Sequence, residues 1–182
     1  MIDYCKAEYP ELSFQHSDAR DLSAFKDNSF DFVMFSYNGI DYISDADRIK
    51  VFMEIKRILK KNGVLVFSTH NLNFKKIELR PSLEASLNPI NFIRNFINYI
   101  KQVKNNYKNK KEQTLNNDYS ILNDSGNGFS LLTYYITREK QIEQLNKINL
   151  KLLEIFDMNG QTLKSNIDDS NNAWLYYVVQ KC

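Results

Sequence analysis

Polar side chains follow three apolar runs of this 182-residue chain, and their types suit ligand binding and proton transfer. They are Asp18 and Ala19 after the run at 12–16, Ser36, Tyr37, Asn38 and Asp41 after 30–36, and His70 and Asn71 after 64–69. Histidine is the residue type that most often serves as a general base. Carboxylates, amides and hydroxyls can hold a polar ligand through hydrogen bonds. These groups are therefore the candidates for a functional site.

The three runs are predicted to be strands of one sheet. A short strand is expected at 12–16, a central parallel strand covered on both faces at 30–36, and another buried strand at 64–69. A helix between the last two begins at Ser44, which forms a capping box with Asp47, and ends at Asn62-Gly63. In open α/β sheets ligands bind outside the carboxyl ends of the strands, so the polar groups are expected along one rim.

The segment 72–117 differs in composition, being rich in asparagine and lysine. It contains a second predicted helix, capped by Asn88 with Pro89 in its first turn. Its apolar residues recur at helical spacing: Ile93, Phe96, Ile97, Ile100, Val103 and Tyr107. Five lysines and no acid stand between Lys101 and Lys111. We expect a lid over the rim; a solvated helix end or contact with an anionic membrane surface are the alternatives.

The remaining segments predict a helix tail at 1–9, a hairpin at 118–136, a helix from Thr137 to Asn146, and strands at 151–158 and 174–180. Tyr134, at the end of the hairpin, is a candidate wall of a substrate pocket, and core packing is the alternative. The order of elements predicts an α/β fold with a mostly parallel sheet, in one domain over 1–182.

Bulk properties exclude several classes of protein. The net charge of +2 is too small to predict nucleic-acid binding, and no apolar run is long enough to span a bilayer. No signal-peptide pattern opens the chain, so a cytoplasmic location is expected. The two cysteines, Cys5 and Cys182, and the two histidines, His16 and His70, give no metal-ligand spacing, so no metal is expected.

The order of these segments resembles the class I S-adenosylmethionine-dependent methyltransferases. SDARDL (17–22) is similar to the turn after that family's third strand, and FDFVMFSYNGIDYI (30–43) to its fourth strand and the following loop. EIKRILKKNGVLVFST (54–69) resembles the helix, turn and fifth strand, and WLYYVVQKC (174–182) the last, antiparallel strand. The resemblance implies a Rossmann-like sheet, a helical insert after the fifth strand, and S-adenosylmethionine as cofactor.

The resemblance also implies roles for the rim residues. Asp18 and the Ala19 amide stand at the adenine position, although a turn aspartate that bonds its own backbone is the alternative. Ser36 and Tyr37 would line the methionine part of the cofactor, with the Tyr37 ring near the sulfonium. For Tyr37, packing in the core is the alternative. The substrate would be contacted by Asn38, Asp41, Asn71 and Tyr134. The alternative for Asp41 is a position near the N-terminus of the next helix. His70 would take a proton from the acceptor, unless it is structural.

One departure from the family is large. A glycine-rich loop and an acidic residue that binds ribose are both expected, but the five glycines of this chain stand apart, from Gly39 to Gly160, and form no such loop. The resemblance places both elements upstream of Met1, so the domain is expected to be truncated at its N-terminus. The predicted function is methyl transfer to a small molecule, incomplete as the chain stands. A non-catalytic remnant or subunit, and another Rossmann-like enzyme such as a nicotinamide dehydrogenase, are the alternatives.

Overall fold

The computed structural model describes residues 2–164 and 166–182 and shows an α/β fold, as predicted. The helices are α1 (Ile2–Glu8), α2 (Asp45–Ile58), α3 (Pro89–Asn109) and α4 (Arg138–Lys147). The strands are β1 (Phe30–Phe35), β2 (Leu59–Asn71), β3 (Thr114–Leu115), β4 (Tyr119–Leu122), β5 (Thr133–Ile136), β6 (Leu150–Phe156) and β7 (Trp174–Lys181). Short 3₁₀ turns occur at Gly39–Tyr42, Lys110–Glu112 and Gly126–Phe129. Met1, part of the predicted helix tail at 1–9, lies outside the described residues.

All seven strands form one mixed sheet in the order β3-β4-β5-β2-β7-β6, with β1 also paired to β2. Strands β1 and β5 both run parallel to β2, and the other neighbouring pairs are antiparallel. The sheet contains more antiparallel strand pairs than predicted, because the two hairpins β4–β5 and β6–β7 are part of it. β1 pairs with β2 up to Phe67, and β5 pairs with it at His70 and Asn71. β1 and β5 therefore follow one another along the same edge of β2, and a corner opens between them.

The prediction that strand 30–36 is covered on both faces was wrong. Val33 and Phe35 pack against the core, whereas Phe32 and Met34 on the opposite face are 54% and 63% exposed. Among the described residues β1 pairs only with β2, and no element covers its second face. The strand predicted at 12–16 is also absent, because no neighbouring strand offers it backbone hydrogen bonds.

The end of α2 differs from the prediction as well. Ser44 Oγ accepts the Asp47 N–H at 3.1 Å, so the predicted N-terminal cap is confirmed. The helix nevertheless ends at Ile58, and Leu59 already begins β2. Asn62 takes a left-handed conformation with φ 65°, and a Cβ on Gly63 would lie 2.9 Å from the Lys60 carbonyl oxygen. Asn62-Gly63 therefore marks a tight bend within β2.

The later elements agree with the predictions. The hairpin of β4 and β5, the helix capped by Thr137, and strands β6 and β7 are all present, and Asn88 caps α3 through the amides of Ile90 and Asn91. Among the described helices, none combines the length and the apolar character that crossing a bilayer requires.

The core lies between α2, α4 and the central strands, and it fixes the position of β2. Phe67 of β2 stacks on Tyr177 of β7 with 5.2 Å between ring centroids, and Phe52 of α2 meets Phe67 edge-on at 5.0 Å. Aromatic pairs in these geometries contribute about 0.5–1.5 kcal/mol each beyond the area they bury. The strand whose C-terminal end holds His70 is therefore anchored in the core through Phe67.

Candidate functional site

The corner between β1 and β5 brings together most of the predicted rim residues. The loop after β1 turns inward there and forms the 3₁₀ turn Gly39–Tyr42, with Ile40 and Asp41 buried. The last residues of β2, from Ser68 to Asn71, form the floor of the corner. As predicted for parallel strands, the polar residues that follow β1 and β2 meet at one rim.

At the centre of the corner lies the Asp41 carboxylate, which is 1% exposed. One of its oxygens forms an ion pair with the Arg48 guanidinium and accepts the Thr69 hydroxyl at 2.6 Å. Its other oxygen accepts the backbone N–H of His70 at 2.7 Å and faces the His70 ring nitrogen Nδ1 at 2.8 Å. A buried carboxylate is tolerated only with such donors around it.

Arg48 is the counter-charge of this carboxylate, and its side chain is completely buried. It donates to the Ile40 carbonyl oxygen at 3.1 Å and to Gln141 Oε1 of α4 at 2.7 Å. Its guanidinium also lies over the Tyr134 ring, 4.2 Å from the centroid, a cation–π contact. The ion pair thus ties together the loop after β1, α2, α4 and β5.

His70 is oriented by these contacts. Because an ionised carboxylate can only accept, Nδ1 carries the proton and donates it to Asp41, and Nε2 bears the lone pair. Nε2 lies 3.4 Å from the Asn38 side-chain nitrogen, a long contact, and the ring is 5.0 Å from that of Tyr135. The side chain remains 16% exposed. The arrangement leaves one ring nitrogen fixed and the other able to accept a proton.

Two residues of the loop after β1 have left-handed backbone conformations. Tyr37 and Asn38 have φ of 58° and 51°. The Asn38 N–H donates to Ser68 Oγ at 3.1 Å, which anchors the turn to β2. The Asn38 side-chain oxygen is buried and has no hydrogen-bond partner within the described part of the chain. Tyr37 is 95% exposed, which excludes the core-packing alternative for its ring.

A second buried carboxylate, Asp124, binds Tyr135, the residue whose ring lies next to that of His70. It accepts the Tyr135 hydroxyl at 2.6 Å, the Thr133 hydroxyl at 3.2 Å and the Gly126 N–H at 3.0 Å. Burial and the bond to Asp124 raise the pKa of Tyr135, so the phenol stays neutral and donates. Unlike Asp41, Asp124 forms no ion pair among the described residues. Three neutral donors therefore hold this carboxylate in place.

Asp18 and Ala19 lie outside this hydrogen-bonded cluster. Asp18 accepts the Arg20 backbone N–H at 2.9 Å and forms an ion pair with the Arg20 guanidinium at 2.7 Å. The hydrogen bonds from Arg20 lower the pKa of Asp18 to about 2. The carboxylate bonds its own turn, as the alternative interpretation states, yet it is 53% exposed. Its role in adenine binding stays a prediction.

Three residues predicted to contact the substrate are buried in protein contacts instead. Asp41 is surrounded by the donors described above. The Asn71 amide donates to the carbonyl oxygens of Asp169 and Asn172, at 2.9 and 3.1 Å. The Tyr134 hydroxyl donates to Asp45 at 2.6 Å, and Tyr134 is 1% exposed. Direct contact with a substrate does not fit these positions, and for Tyr134 the structure supports the core-packing alternative.

Sequence reasoning missed Arg48, Gln141 and Asp124, although one signal was present for Arg48. With Phe52 and Ile55 it follows the helical spacing of the apolar face of α2, where a charged residue is expected only with a buried partner. Gln141 and Asp124 gave no comparable signal, because their roles depend on contacts between distant segments.

Comparison with known proteins agrees with this architecture. Residues 1–67 match the family model described as a methyltransferase domain. No curated protein matches the sequence. A solved S-adenosylmethionine-dependent methyltransferase from Methanosarcina mazei is similar in fold, with a TM-score of 0.52 and 14% identity over 93% of this chain and 66% of its own.

Two further solved structures are similar. One, from Clostridium acetobutylicum, is an S-adenosylmethionine-dependent methyltransferase with a TM-score of 0.59 and 11% identity, covering 98% of this chain and 68% of its own. The other is the 1,6-didemethyltoxoflavin-N1-methyltransferase of Burkholderia thailandensis, solved with 1,6-didemethyltoxoflavin and S-adenosylhomocysteine. It has a TM-score of 0.54 and 8% identity over 98% of this chain.

The chain spans 66% of the Methanosarcina protein and 55% of the Burkholderia protein. The family match and the shared architecture confirm the resemblance seen in the sequence. Residues 1–67 match the model of the methyltransferase domain family, and the chain shares the fold of solved S-adenosylmethionine-dependent methyltransferases.

Proposed function

We propose that this domain takes part in S-adenosylmethionine-dependent methyl transfer to a small-molecule acceptor at the corner between β1 and β5. The observation that carries the proposal is the orientation of His70. Its Nδ1 lies 2.8 Å from the buried Asp41 carboxylate, its Nε2 makes a long contact of 3.4 Å with the Asn38 side-chain nitrogen, and the side chain is 16% exposed. This is the arrangement of a positioned base.

Features of the corner fit the cofactor. S-adenosylmethionine, when bound, supplies an electrophilic methyl group on a positively charged sulfur. The Asn38 side-chain oxygen, which is buried without a hydrogen-bond partner among the described residues, can accept a hydrogen bond from an amino group. The exposed Tyr37 ring is available for a cation–π contact. Asp18 and the Ala19 amide would hold the adenine, with Ser36 beside the methionine part.

The residues of the corner would act on the acceptor proton. Methyl transfer is an in-line displacement, so most of its catalysis is positioning. As an N–H or O–H acceptor gains the methyl group, His70 Nε2 accepts its proton, and Asp41 stabilises the resulting imidazolium through Nδ1. The 3.4 Å contact from Asn38 to Nε2 is long, so an acceptor can replace it at small cost.

A small organic acceptor is favoured over a macromolecular one by one structural neighbour. The base itself lies beside Asn38 and Tyr135 and is only partly exposed. The Burkholderia neighbour is named for methylation of the small heterocycle 1,6-didemethyltoxoflavin. We therefore propose an amine, N-heterocycle or phenol as the acceptor, and a cytoplasmic setting for the reaction.

The cofactor site of this chain is proposed to be incomplete. Its five glycines are dispersed, and the sequence contains no glycine-rich loop to approach the methionine part of the cofactor. The chain also spans only 55–66% of the first two neighbours described. The alternative, a non-catalytic subunit that needs another chain to complete the site, is favoured by the same observation.

Titration calorimetry and NMR test this proposal together. We expect the chain to bind S-adenosylmethionine weakly, without measurable heat at micromolar concentrations. In ¹H–¹⁵N spectra, millimolar S-adenosylhomocysteine should shift the amides at 18–20 and 36–38 before any others. Micromolar affinity would refute the incomplete site. An absence of shifts at these positions would refute the cofactor assignment.

Transfer itself is tested with radiolabelled cofactor and a panel of small amines, N-heterocycles and phenols. If the chain transfers methyl groups, His70→Gln should lower the rate by about 10²–10⁴-fold. His16→Gln, at the only other histidine, is the matched control and should leave the rate unchanged. Cofactor binding without transfer to any acceptor, alone or with added partner chains, would favour the non-catalytic subunit.

A further inference from the structure

Helix α3 is docked through its polar face. Asn95 donates to the Glu84 carbonyl oxygen at 3.1 Å, and Asn105 to that of Gly128 at 3.0 Å. Asn106 donates to the Asn123 side chain, and Asn109 to the Phe129 carbonyl oxygen, both at 3.0 Å. Asparagines at this helical spacing share one face. The helix is therefore held to the 3₁₀ turn Gly126–Phe129 and its surroundings by side-chain amides.

The apolar face of α3 is turned to solvent. No residue of the helix is buried, and Ile93, Ile97 and Ile100 are 59%, 50% and 50% exposed. Phe96, Val103 and Tyr107 continue the same stripe and are exposed as well. Helices of globular proteins normally turn such a stripe towards the core. A contiguous apolar surface of this kind indicates a binding surface.

The charge beside the stripe is entirely positive. No aspartate or glutamate occurs between Glu84 and Glu112, whereas this stretch contains one arginine and five lysines. At 100° per residue, Arg94, Lys101 and Lys108 fall along one flank of the apolar stripe, and Lys104 falls within its margin on the same side. Lysine and arginine stems can follow an apolar surface while their charges reach towards anions.

We propose that α3 lies on an anionic membrane surface, with the stripe from Ile93 to Tyr107 in the head-group region and the basic flank against lipid phosphates and carboxylates. The helix has 21 residues, so it is about 30 Å long and offers several apolar anchors in a row. An amphipathic helix with a strongly basic polar border is typical of interfacial binding. A lid would need the opposite orientation, because its apolar face would turn towards the rim.

Vesicle flotation tests the proposal on the full chain. We expect flotation with vesicles of phosphatidylcholine and phosphatidylserine, a weaker response to phosphatidylcholine alone, and a decrease as salt is raised. Removing one basic contact should weaken binding about fivefold, so Lys104→Glu with Lys108→Glu should abolish most of it. Ile97→Trp should show a blue-shifted emission when the anionic vesicles are added.

Variants of the stripe separate membrane binding from folding. Ile97→Asp and Ile100→Asp place charges at exposed positions, so circular dichroism should be unchanged while flotation is lost. Met53→Asp, at an apolar position of α2 that is 58% exposed, is the matched control and should float as the parent does.

Three results would overturn the proposal. One is a chain that stays in solution with anionic vesicles at low salt. The second is flotation that the stripe variants leave unchanged. The third is a dimer, found by light scattering, that Ile97→Asp dissociates, since a second copy of the chain would then cover the stripe.

Discussion

Replacing Asp41 by asparagine should destabilise the fold strongly, because it leaves the Arg48 charge buried without a counter-ion. Both side chains are completely buried, and the guanidinium has only neutral acceptors besides Asp41. Breaking a buried pair by removing one partner costs about 3–5 kcal/mol. For a domain of this size, 1 kcal/mol lowers Tm by about 2–4 °C, so Asp41→Asn should lower Tm by about 6–20 °C.

Urea unfolding, followed by circular dichroism and by the fluorescence of Trp174, measures the free energy of unfolding of each variant. Arg48→Met should also be costly, since it strands the carboxylate. In the double variant Asp41→Asn/Arg48→Met both charges are gone, and its loss should be smaller than the sum of the single losses by about 2 kcal/mol or more. Asp124→Asn is the matched control, because Asp124 is buried among three donors and, of the residues that the structure describes, none forms an ion pair with it.

In the control, the free energy of unfolding should fall by about 1–3 kcal/mol, which is the cost of leaving a buried hydrogen-bonding group imperfectly satisfied. A loss below about 1 kcal/mol in Asp41→Asn, or single losses that simply add in the double variant, would refute the view of Asp41 as one half of a buried ion pair. Its place as the anchor of His70 would then lose its physical basis.

Two further predictions concern Asp18 and Glu54. Asp18→Ala should weaken cofactor binding by about ten- to a hundredfold, because a charge-assisted hydrogen bond is worth about 1.5–3 kcal/mol. Arg20→Ala is the control, since it frees the carboxylate and should not weaken binding. If titrations show no change in Asp18→Ala, Asp18 is a turn residue with no part in binding. Hydrogen bonds from Arg57 and the Leu22 amide lower the pKa of Glu54 from 4.5. The stability that Glu54 contributes is therefore complete above pH 4.5 and is lost as the pH falls through the lowered pKa. In Glu54→Gln the free energy of unfolding should depend less on pH in that acid range, and a pH profile identical to that of the parent would contradict this role.

The sequence predicted most elements because their signals are local. Ser44, Asn88 and Thr137 all cap the helices assigned to them, and each needs only its own next three residues. Strand β1 was harder, because FDFVMF is apolar on both sides whether or not anything covers it. Exposure of Phe32 and Met34 depends on which elements pack nearby, and periodicity does not contain that information.

The site was predicted at the level of segments more than of side chains. The rule that ligands bind beyond strand ends brought Asn38, Asp41 and His70 to one corner correctly. It did not distinguish the partly exposed His70 from the buried Asp41, because the burial of Asp41 depends on contacts with Arg48 of α2 and Thr69 of β2 and, through Arg48, with Gln141 of α4. Which polar residue faces a ligand is a property of packing between distant segments.

The single-sided pairing of β1 has a consequence for local opening. Every second amide of an edge strand points away from its neighbour, and such strands usually exchange their protons before the rest of a sheet. The C-terminal end of β1, however, leads directly into Asp41, whose carboxylate is held by Arg48 and Thr69. Local unfolding of β1 that begins at Phe30 can therefore extend only as far as the corner. Unfolding beyond the corner must break the buried ion pair, and His70 then loses its contact with Asp41. Proton exchange along β1 should consequently rise sharply towards Phe30, and the orientation of the candidate base should be lost in the same cooperative step that frees Phe35.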